Sequence, residues 1–289
     1  MGDHVCIRPF RWDLSKREQL GALCPKERAE AYEGFQSDVR SAAAKLIARA
    51  GHSDIVFVGR STEAIFDYLS GIFQDVPNAP SLILFQLSNR GWSAEDLARN
   101  HPRELAALLA YFTHERLDPR SIANRERQVR FVDVVDTGST FGSLVSCLRY
   151  WSHSQPADWN VVKQRIGFVG LTIKTKSSPN TWRWWQHQQW VAELRKSNIK
   201  SISVNDLFWR WIANSEEKVT PSHHVNRWAS EDATKPQRQP RHLKALSLAV
   251  LLFDLGRDKS ERNLFARHLT AQPEMNERWL RSIVLGVRG

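Results

Sequence analysis

Long apolar runs and cysteines are both scarce in this chain of 289 residues. The longest apolar run, Ala245–Phe253, has nine residues and includes a serine, whereas a membrane-spanning helix needs roughly 17–25. The first twelve residues contain no apolar core of the kind that a signal peptide requires. The three cysteines, Cys6, Cys24 and Cys147, are far apart in sequence and form no CxxC pair. These absences predict a cytoplasmic protein with reduced thiols, no disulfide framework and no membrane anchor.

Several common site motifs are also absent. The chain has no GxxxxGK(S/T) phosphate loop, no GxGxxG after a strand and no GxSxG nucleophile elbow. No cluster of His, Cys and Asp has the spacing of zinc ligands, and we expect the pair His223-His224 to lie in a loop. The sequence therefore excludes P-loop nucleotidases and hydrolases of the nucleophile-elbow type.

What is present is an uneven distribution of charge. The net charge of +10 comes from 41 Lys+Arg and 31 Asp+Glu. Residues 1–150 contain 19 of each sign, so the remainder of the chain contains 22 basic and 12 acidic residues. The basic second half also holds nine tryptophans between Trp151 and Trp228. A basic surface of this kind indicates an anionic partner.

Short apolar runs alternate with segments of helical periodicity. Buried strands are predicted at Ile55–Val58, Ser81–Leu87, Gln128–Val135, Arg165–Lys174 and Ile199–Val204. Helices are predicted over residues 25–50, 63–73, 93–99, 102–116, from Thr140 to about Trp151, and within 242–286. This alternation predicts an α/β fold with a mainly parallel sheet, flanking helices and a helical C-terminal extension.

Four parts of the chain follow from this pattern. Residues 1–24 form an N-terminal segment, and residues 25–212 form the α/β domain. Residues 213–241 are polar and contain several prolines, which is typical of a loop or linker, and residues 242–289 form the helical extension.

One loop carries chemistry. Asp133-Val-Val-Asp136-Thr137-Gly138-Ser139-Thr140 leaves a buried strand and opens a helix. Hydroxyls and free amides at such a junction form a phosphate site. The alternative is an ordinary strand-to-helix turn, because Asp, Thr, Gly and Ser also cap helices.

Residues 131–140 resemble the phosphoribosyl pyrophosphate (PRPP) loop of the type I phosphoribosyltransferase (PRTase) family, closest to its purine (hypoxanthine-guanine) branch. The resemblance implies that Thr137, Gly138, Ser139 and Thr140 hold a 5′-phosphate. It further implies that Asp133 holds the ribose and that Asp136 is the general base in transfer of ribose phosphate to or from a purine-like base. Two residues depart from the pattern, since Val132 replaces the first acid and Ser139 replaces a frequent lysine.

The same resemblance extends to other strand ends. Gly59, Arg60, Ser61 and Thr62 follow the first strand, where the family binds pyrophosphate, and helix capping is the alternative role. Lys174 occupies the place of a base-reading lysine. Asp133 and Asp206 are the expected ligands of Mg²⁺, and Trp209 is the expected stacking ring.

The Trp-rich, basic stretch of residues 174–244 has two interpretations. Aromatic rings beside cations bind RNA or DNA, while tryptophans more commonly bury in a core or an oligomer interface. The loss of an acid at Val132 favours an alternative function, a PRTase-like effector without ordinary turnover, for instance in a bacterial antiviral defence system. A scaffold that forms a homo-oligomer or a complex subunit is the third hypothesis.

Overall fold

The computed structural model describes residues 7–23, 31–89, 91–154, 157–177 and 183–289. A five-stranded sheet runs through its centre, and every pair of neighbouring strands is parallel. The strands are β1 (Ser53–Val58), β2 (Leu82–Phe85), β3 (Gln128–Val134), β4 (Ile166–Ile173) and β5 (Ile199–Val204), in the spatial order β2-β1-β3-β4-β5. All six residues of β1 are buried, as expected for a strand with both faces covered. The predicted α/β fold is confirmed.

Helices cover both faces of the sheet. In chain order they are α1 (Arg17–Leu20), α2 (Phe35–Ala50), α3 (Glu63–Phe73), α4 (Ala94–Asn100), α5 (Pro102–His114), α6 (Pro119–Ala123), α7 (Ser139–Ser154), α8 (Trp159–Arg165), α9 (Asp206–Arg210), α10 (Val225–Trp228), α11 (Pro240–Arg257), α12 (Lys259–Thr270) and α13 (Arg278–Arg288). One apolar core joins α2, α3 and the C-terminal helices to one face. A second core joins α5, α7 and α8 to the other face.

The predicted helix over residues 25–50 is wrong at its start. Residues 31–34 are not helical, and α2 begins at Phe35 after Gly34, which adopts a left-handed conformation with φ 90°. Residues 24–30 lie outside the described part. A glycine with a left-handed backbone ends the preceding turn. The sequence did not predict this boundary, because the apolar residues continue at helical spacing through Tyr32.

The C-terminal helices pack directly on the α/β core. Helix α11 crosses α3 so closely that an ideal Cβ on Gly71 would lie 2.0 Å from the carbonyl oxygen of Phe253. A Cβ on Gly256 would lie 2.3 Å from the carbonyl oxygen of Tyr68. The two glycines therefore permit backbone contact between these helices, which places the N-terminal end of α11 near the loop that precedes α3.

The N-terminal segment is attached to α3 by a buried ion pair. Arg11 donates from Nη2 to both oxygens of Asp67, at 2.5 and 2.6 Å, and its Nη1 lies 3.2 Å from Oε2 of Glu63. Burial raises the pKa of Asp67 to about 7, although Arg11 opposes the shift. Glu216 and Glu63 add to the rise.

Glu63 also holds part of the polar segment 213–241. Its carboxylate accepts hydrogen bonds from the amide of Val219, at 3.1 Å, and from the hydroxyl of Thr220, at 2.6 Å. Thr220, His223 and Trp228 of the same segment are buried. This stretch is therefore a packed loop with a short helix, α10, and it lies beside the first turn of α3.

Candidate functional site

Two of the predicted loops meet at the carboxyl ends of β1 and β3. The chain passes from β1 to β2 on one side and returns to β3 on the other, so the strand order reverses between β1 and β3. Ligands of open parallel sheets bind in the crevice at this point. Phe57 pairs with Val132 across the two strands, which sets the Gly59 turn beside the loop that begins at Asp133.

A cleft of about 1080 Å³ opens above this crevice. Gly59, Arg60 and Ser61 line it from one loop, and Asp133 and Thr140 line it from the other. A recess of about 290 Å³ lies over residues 133–140 and shares Ser61, Asp133 and Thr140 with the cleft. The two spaces are therefore neighbouring parts of one site.

The phosphate-loop candidate has the backbone that an anion site requires. Helix α7 begins at Ser139, and its first intrahelical bond runs from the amide of Gly142 to the carbonyl of Gly138, at 3.2 Å. Within the described chain, the amides of Ser139, Thr140 and Phe141 have no acceptor. Free first-turn amides and the positive end of a 16-residue helix favour an anion at this end.

Gly138 determines the shape of this loop through its backbone conformation and its contact with Trp184. Its φ is +78°, and an ideal Cβ would lie 2.6 Å from Cζ3 of Trp184. The indole ring of Trp184 is fully buried, and its Nε1 donates to the hydroxyl of Ser201 at 2.9 Å. The loop therefore needs glycine both for its backbone conformation and for the space that the indole occupies.

Three of the four residues predicted after β1 line the cleft. Gly59, with φ +71°, lies close to β2, and its amide donates to the carbonyl of Phe85 at 2.9 Å. Ser61 lines both the cleft and the recess. Thr62 is buried, and its hydroxyl is 3.5 Å from the carbonyl of Val58, so it belongs to the helix-capping turn.

The two loop carboxylates differ in environment. Asp133 is buried, and its Oδ1 accepts the amide of Val134 at 2.7 Å. Asp136 is exposed and forms an ion pair with the ammonium of Lys176, at the end of β4. The structure therefore places a fixed carboxylate at the base of the site and an accessible, cation-paired carboxylate at its rim.

The other predicted side chains are less closely associated. Trp209 lines the recess, and its Nε1 donates to the carbonyl of Leu171 at 3.2 Å. Lys174 is exposed at the end of β4 and lines neither the cleft nor the recess. Asp206 also lies outside both spaces and pairs with Arg210 at 2.7 Å on α9.

The far wall of the cleft comes from the second half of the chain. Arg241 and His242, in the first turn of α11, line it together with Lys218 and His224. Glu217 lies on the same wall. Lys218 is paired with Glu216, which lines the same wall. Arg241 is therefore the cation that the second half of the chain adds to the cleft without an ion pair in the described residues, and the sequence did not predict its place there.

Arg60 reaches toward this far wall. Its Nη1 is 3.3 Å from the carbonyl of Thr220. Burial lowers the pKa of Arg60, Glu63 opposes that shift, and the nearby charge of Arg241 lowers it further. Both guanidinium groups line the cleft, and their like charges disfavour each other, which favours an anion near them.

The described tryptophans of the basic half lie in the two apolar cores or pack against them. Trp184 and Trp228 are fully buried, and Trp151 is 7% exposed. Trp190 packs near Gly142, whose ideal Cβ would lie 2.9 Å from Cδ1 of the indole. Trp182 lies outside the described residues. Burial favours the core interpretation of these rings over a nucleic-acid stacking platform.

Sequence reasoning missed Lys176, Trp92, Trp184 and Arg241. A sequence signal existed for Trp184. Gly138 and Gly142 are one helical turn apart at the start of α7, and two glycines at this spacing indicate that bulky side chains pack against them. Lys176, Trp92 and Arg241 reach the site only through tertiary contacts, which the sequence does not indicate. Trp92 lines the cleft beside His101, with their ring centroids 5.1 Å apart.

Comparison with protein-family models, curated proteins and solved structures found no match. Among the helices of the described residues, none is both long enough and apolar enough to cross a membrane. Within the same residues, no three His, Cys, Asp or Glu side chains come together as a metal site.

Proposed function

We propose that this protein is a PRTase-like protein that binds PRPP or a related phosphoribosyl nucleotide in the crevice between β1 and β3. One observation carries the proposal: the amides of Ser139 and Thr140 have no acceptor in the described chain, and both residues line the recess at the point where the strand order reverses. Oriented amides at a helix N-terminus favour a phosphate there. The resemblance of residues 131–140 to the PRPP loop supplies the identity of that phosphate.

Each side chain of the site has a role in this proposal. The 5′-phosphate lies on residues 137–140, where amides and three hydroxyls donate to it. The ribose lies above Asp133, and the pyrophosphate lies on the Gly59 turn beside Ser61. Both loops line one continuous site, so one molecule of PRPP can contact the two loops together.

Mg²⁺ fits this site with one carboxylate from the protein. Asp133 is the fitting ligand, because Mg²⁺ is commonly held by one or two carboxylates together with substrate phosphates. Asp206 does not fit, since it pairs with Arg210 outside the cleft. When bound, the ion would neutralise the negative charge on the departing pyrophosphate.

The reaction would replace a carbon–oxygen bond at the anomeric carbon with a carbon–nitrogen bond. Pyrophosphate leaves with the electrons of the broken bond, and a ring nitrogen of the base supplies the new pair. Asp136 is exposed at the rim and suits the role of acceptor for the proton that the nitrogen loses. Lys176 holds this carboxylate in place. We propose a cytoplasmic location for this chemistry.

A PRTase-like effector without ordinary turnover is the second candidate. It is favoured by Val132, which leaves the ribose site with one carboxylate, and by the ion pair that occupies Asp136. The effector would retain phosphate binding and use its basic surface to bind RNA or DNA. The two candidates share the same bound phosphate and differ in product formation.

Calorimetric titration with PRPP and Mg²⁺ tests the shared step. Thr140 lines both the cleft and the recess, and a hydrogen bond from its hydroxyl to a charged group would contribute about 1.5–3 kcal/mol. Thr140→Val should therefore weaken binding by about tenfold or more. Thr270→Val is the matched control, since its exposed hydroxyl bonds only to Arg267 within α12.

Absence of PRPP binding by the unmodified protein, or equal loss in both variants, would refute the proposal. Incubation with PRPP, Mg²⁺ and a panel of nucleobases and nucleotides then separates the candidates. Release of pyrophosphate together with a new glycosidic product identifies the enzyme. Binding of PRPP without product, together with retention of RNA or DNA, identifies the effector.

A further inference from the structure

Arg60 and Arg241 form a second cationic locus in the cleft, separate from the phosphate loop. Each lines the cleft, and in the described chain neither forms an ion pair with a carboxylate. Glu63 lies near Arg60, but its carboxylate bonds to Val219, Thr220 and Arg11. The carbonyl of Thr220 holds Arg60 toward the far wall. Two guanidinium groups arranged in this way match one phosphate with several acceptor oxygens.

The exposed indole ring of Trp92 forms part of the lining of the cleft. Trp92 lines it and is 37% exposed, which makes it one of the few large apolar side chains at the described surface. Its edge-to-face contact with His101, at 5.1 Å, fixes the indole on one side. An accessible indole is a stacking surface for a nucleobase, and such stacking contributes about 1–3 kcal/mol.

The size of the cleft leaves room for a second ligand. Pockets that hold a single small ligand measure roughly 300–1000 Å³. The cleft of about 1080 Å³ is slightly larger than the top of that range, and the recess over the phosphate loop adds about 290 Å³. The phosphate-loop ligand would leave much of the wall between Trp92 and Arg241 uncovered.

We propose that the far side of this cleft binds a nucleotide as the second ligand, with its base on Trp92 and its phosphate between Arg60 and Arg241. The inference rests on the proposed function for the identity of the first ligand. The acceptor of the ribose phosphate would then be a phosphorylated nucleotide rather than a free base. Glu217, on the same wall, disfavours a second anionic group there. A free nucleotide and the terminal nucleotide of a strand offer the same chemistry to these residues.

The test is calorimetric titration of the full chain with AMP, GMP, CMP and UMP and with the corresponding nucleosides. Arg241→Gln should weaken the binding of the nucleotides at least tenfold and leave the nucleosides within about twofold. Trp92→Ala should weaken both classes, and Trp92→Phe should restore most of the binding. Lys244→Gln is the matched control, because Lys244 is exposed one turn further along α11 and does not line the cleft.

A second titration examines whether the sites are separate. Nucleotide is added to the Asp136→Asn variant saturated with PRPP and Mg²⁺. We expect it to bind within about tenfold of its affinity without PRPP, the weakening coming from the pyrophosphate on the Gly59 turn beside Arg60. Loss of nucleotide binding under saturating PRPP would show one shared site and overturn the inference. Absence of nucleotide binding, or equal effects of Arg241→Gln and Lys244→Gln, would also overturn it.

The outcomes separate this inference from the proposed function. If the chain does not bind PRPP but binds nucleotides in a manner that depends on Arg241 and Trp92, the proposed function fails and the nucleotide site stands. A 5′-phosphorylated tetranucleotide distinguishes the two sources. Tighter binding than the mononucleotide, with a steep dependence on salt, indicates a strand end, and binding no tighter than the mononucleotide indicates a free nucleotide.

Discussion

The indole of Trp184 lies where any side chain on Gly138 would have to go, with 2.6 Å between the ideal Cβ and Cζ3. The same ring lies beside Gly170 of β4, whose ideal Cβ would be 2.7 Å from Cε2. One buried tryptophan thus packs beneath the phosphate loop and on the neighbouring strand. The shape of the loop depends on a residue 46 positions later in the chain.

Gly138→Ala should destabilise the protein and weaken PRPP binding. A non-glycine residue in the left-handed region costs about 1–3 kcal/mol, and the contact with Trp184 adds to that cost. Gly34→Ala is the matched control, because Gly34 has φ +90° before α2 with nothing within 4 Å of its ideal Cβ. Urea unfolding should show the larger loss for Gly138→Ala, and equal losses would show that the indole does not constrain the loop.

Asp136→Asn should abolish turnover without weakening the fold. Removing a general base lowers the rate by about 10²–10⁴, while an exposed ion pair contributes less than about 1 kcal/mol to stability. Asp206→Asn is the control, since Asp206 forms a comparably exposed pair with Arg210 outside the cleft. Rates of pyrophosphate release and thermal melts measure both effects, and equal rates for the two variants would remove Asp136 from the role of base.

Asp67→Asn should alter how stability depends on pH. The pKa of Asp67 rises with burial from 3.8 to about 7, so the folded protein binds the extra proton between those values. The unmodified protein should therefore lose stability relative to the variant as pH rises from about 4 to about 7, with no further change above 7. Urea unfolding midpoints of the unmodified protein and the variant, measured at pH 5 and pH 7.5, test this prediction. A difference in midpoint between the two proteins that is the same at both pH values would contradict the raised pKa of Asp67.

His223→Gln should produce the opposite pH dependence. His223 is buried beside Tyr111, and its Nδ1 has no hydrogen-bond partner in the described chain. Burial lowers the pKa of His223 from 6.5 to about 3, and Arg227 contributes to the shift. Because the unfolded chain takes up the proton first, the unmodified protein should lose stability relative to the variant as pH falls from about 6.5 toward 3. The same urea measurements test this prediction. A difference between variant and unmodified protein that changes with pH in the same direction as for Asp67→Asn would contradict it.

Much of the fold could be predicted because its boundaries are local signals. Helix α3 and strand β5 begin and end where the sequence predicts, at Glu63–Phe73 and Ile199–Val204. Each is a short apolar run with turn residues beside it. The loop at Asp133–Thr140 was also predictable, since small hydroxyl residues between a buried strand and a helix are a local pattern.

The rest of the site depends on contacts between distant parts of the chain. Arg60 and Arg241 are 181 positions apart and line the same cleft because α11 packs on α3, and Lys176 meets Asp136 because β3 and β4 are neighbours. Arg241, from the basic second half, therefore lines the same cleft as Thr140 of the phosphate loop.

The close crossing at Gly71 and Gly256 has a consequence for the order in which the protein is made. A ribosome would release the phosphate loop and the Gly59 turn long before it reaches Arg241, because synthesis runs from the N-terminus and early segments fold first. The cleft would then lack Arg241 on its far wall until α11 had emerged and packed on α3. A nascent or prematurely terminated chain would therefore carry the phosphate loop without the wall that faces it.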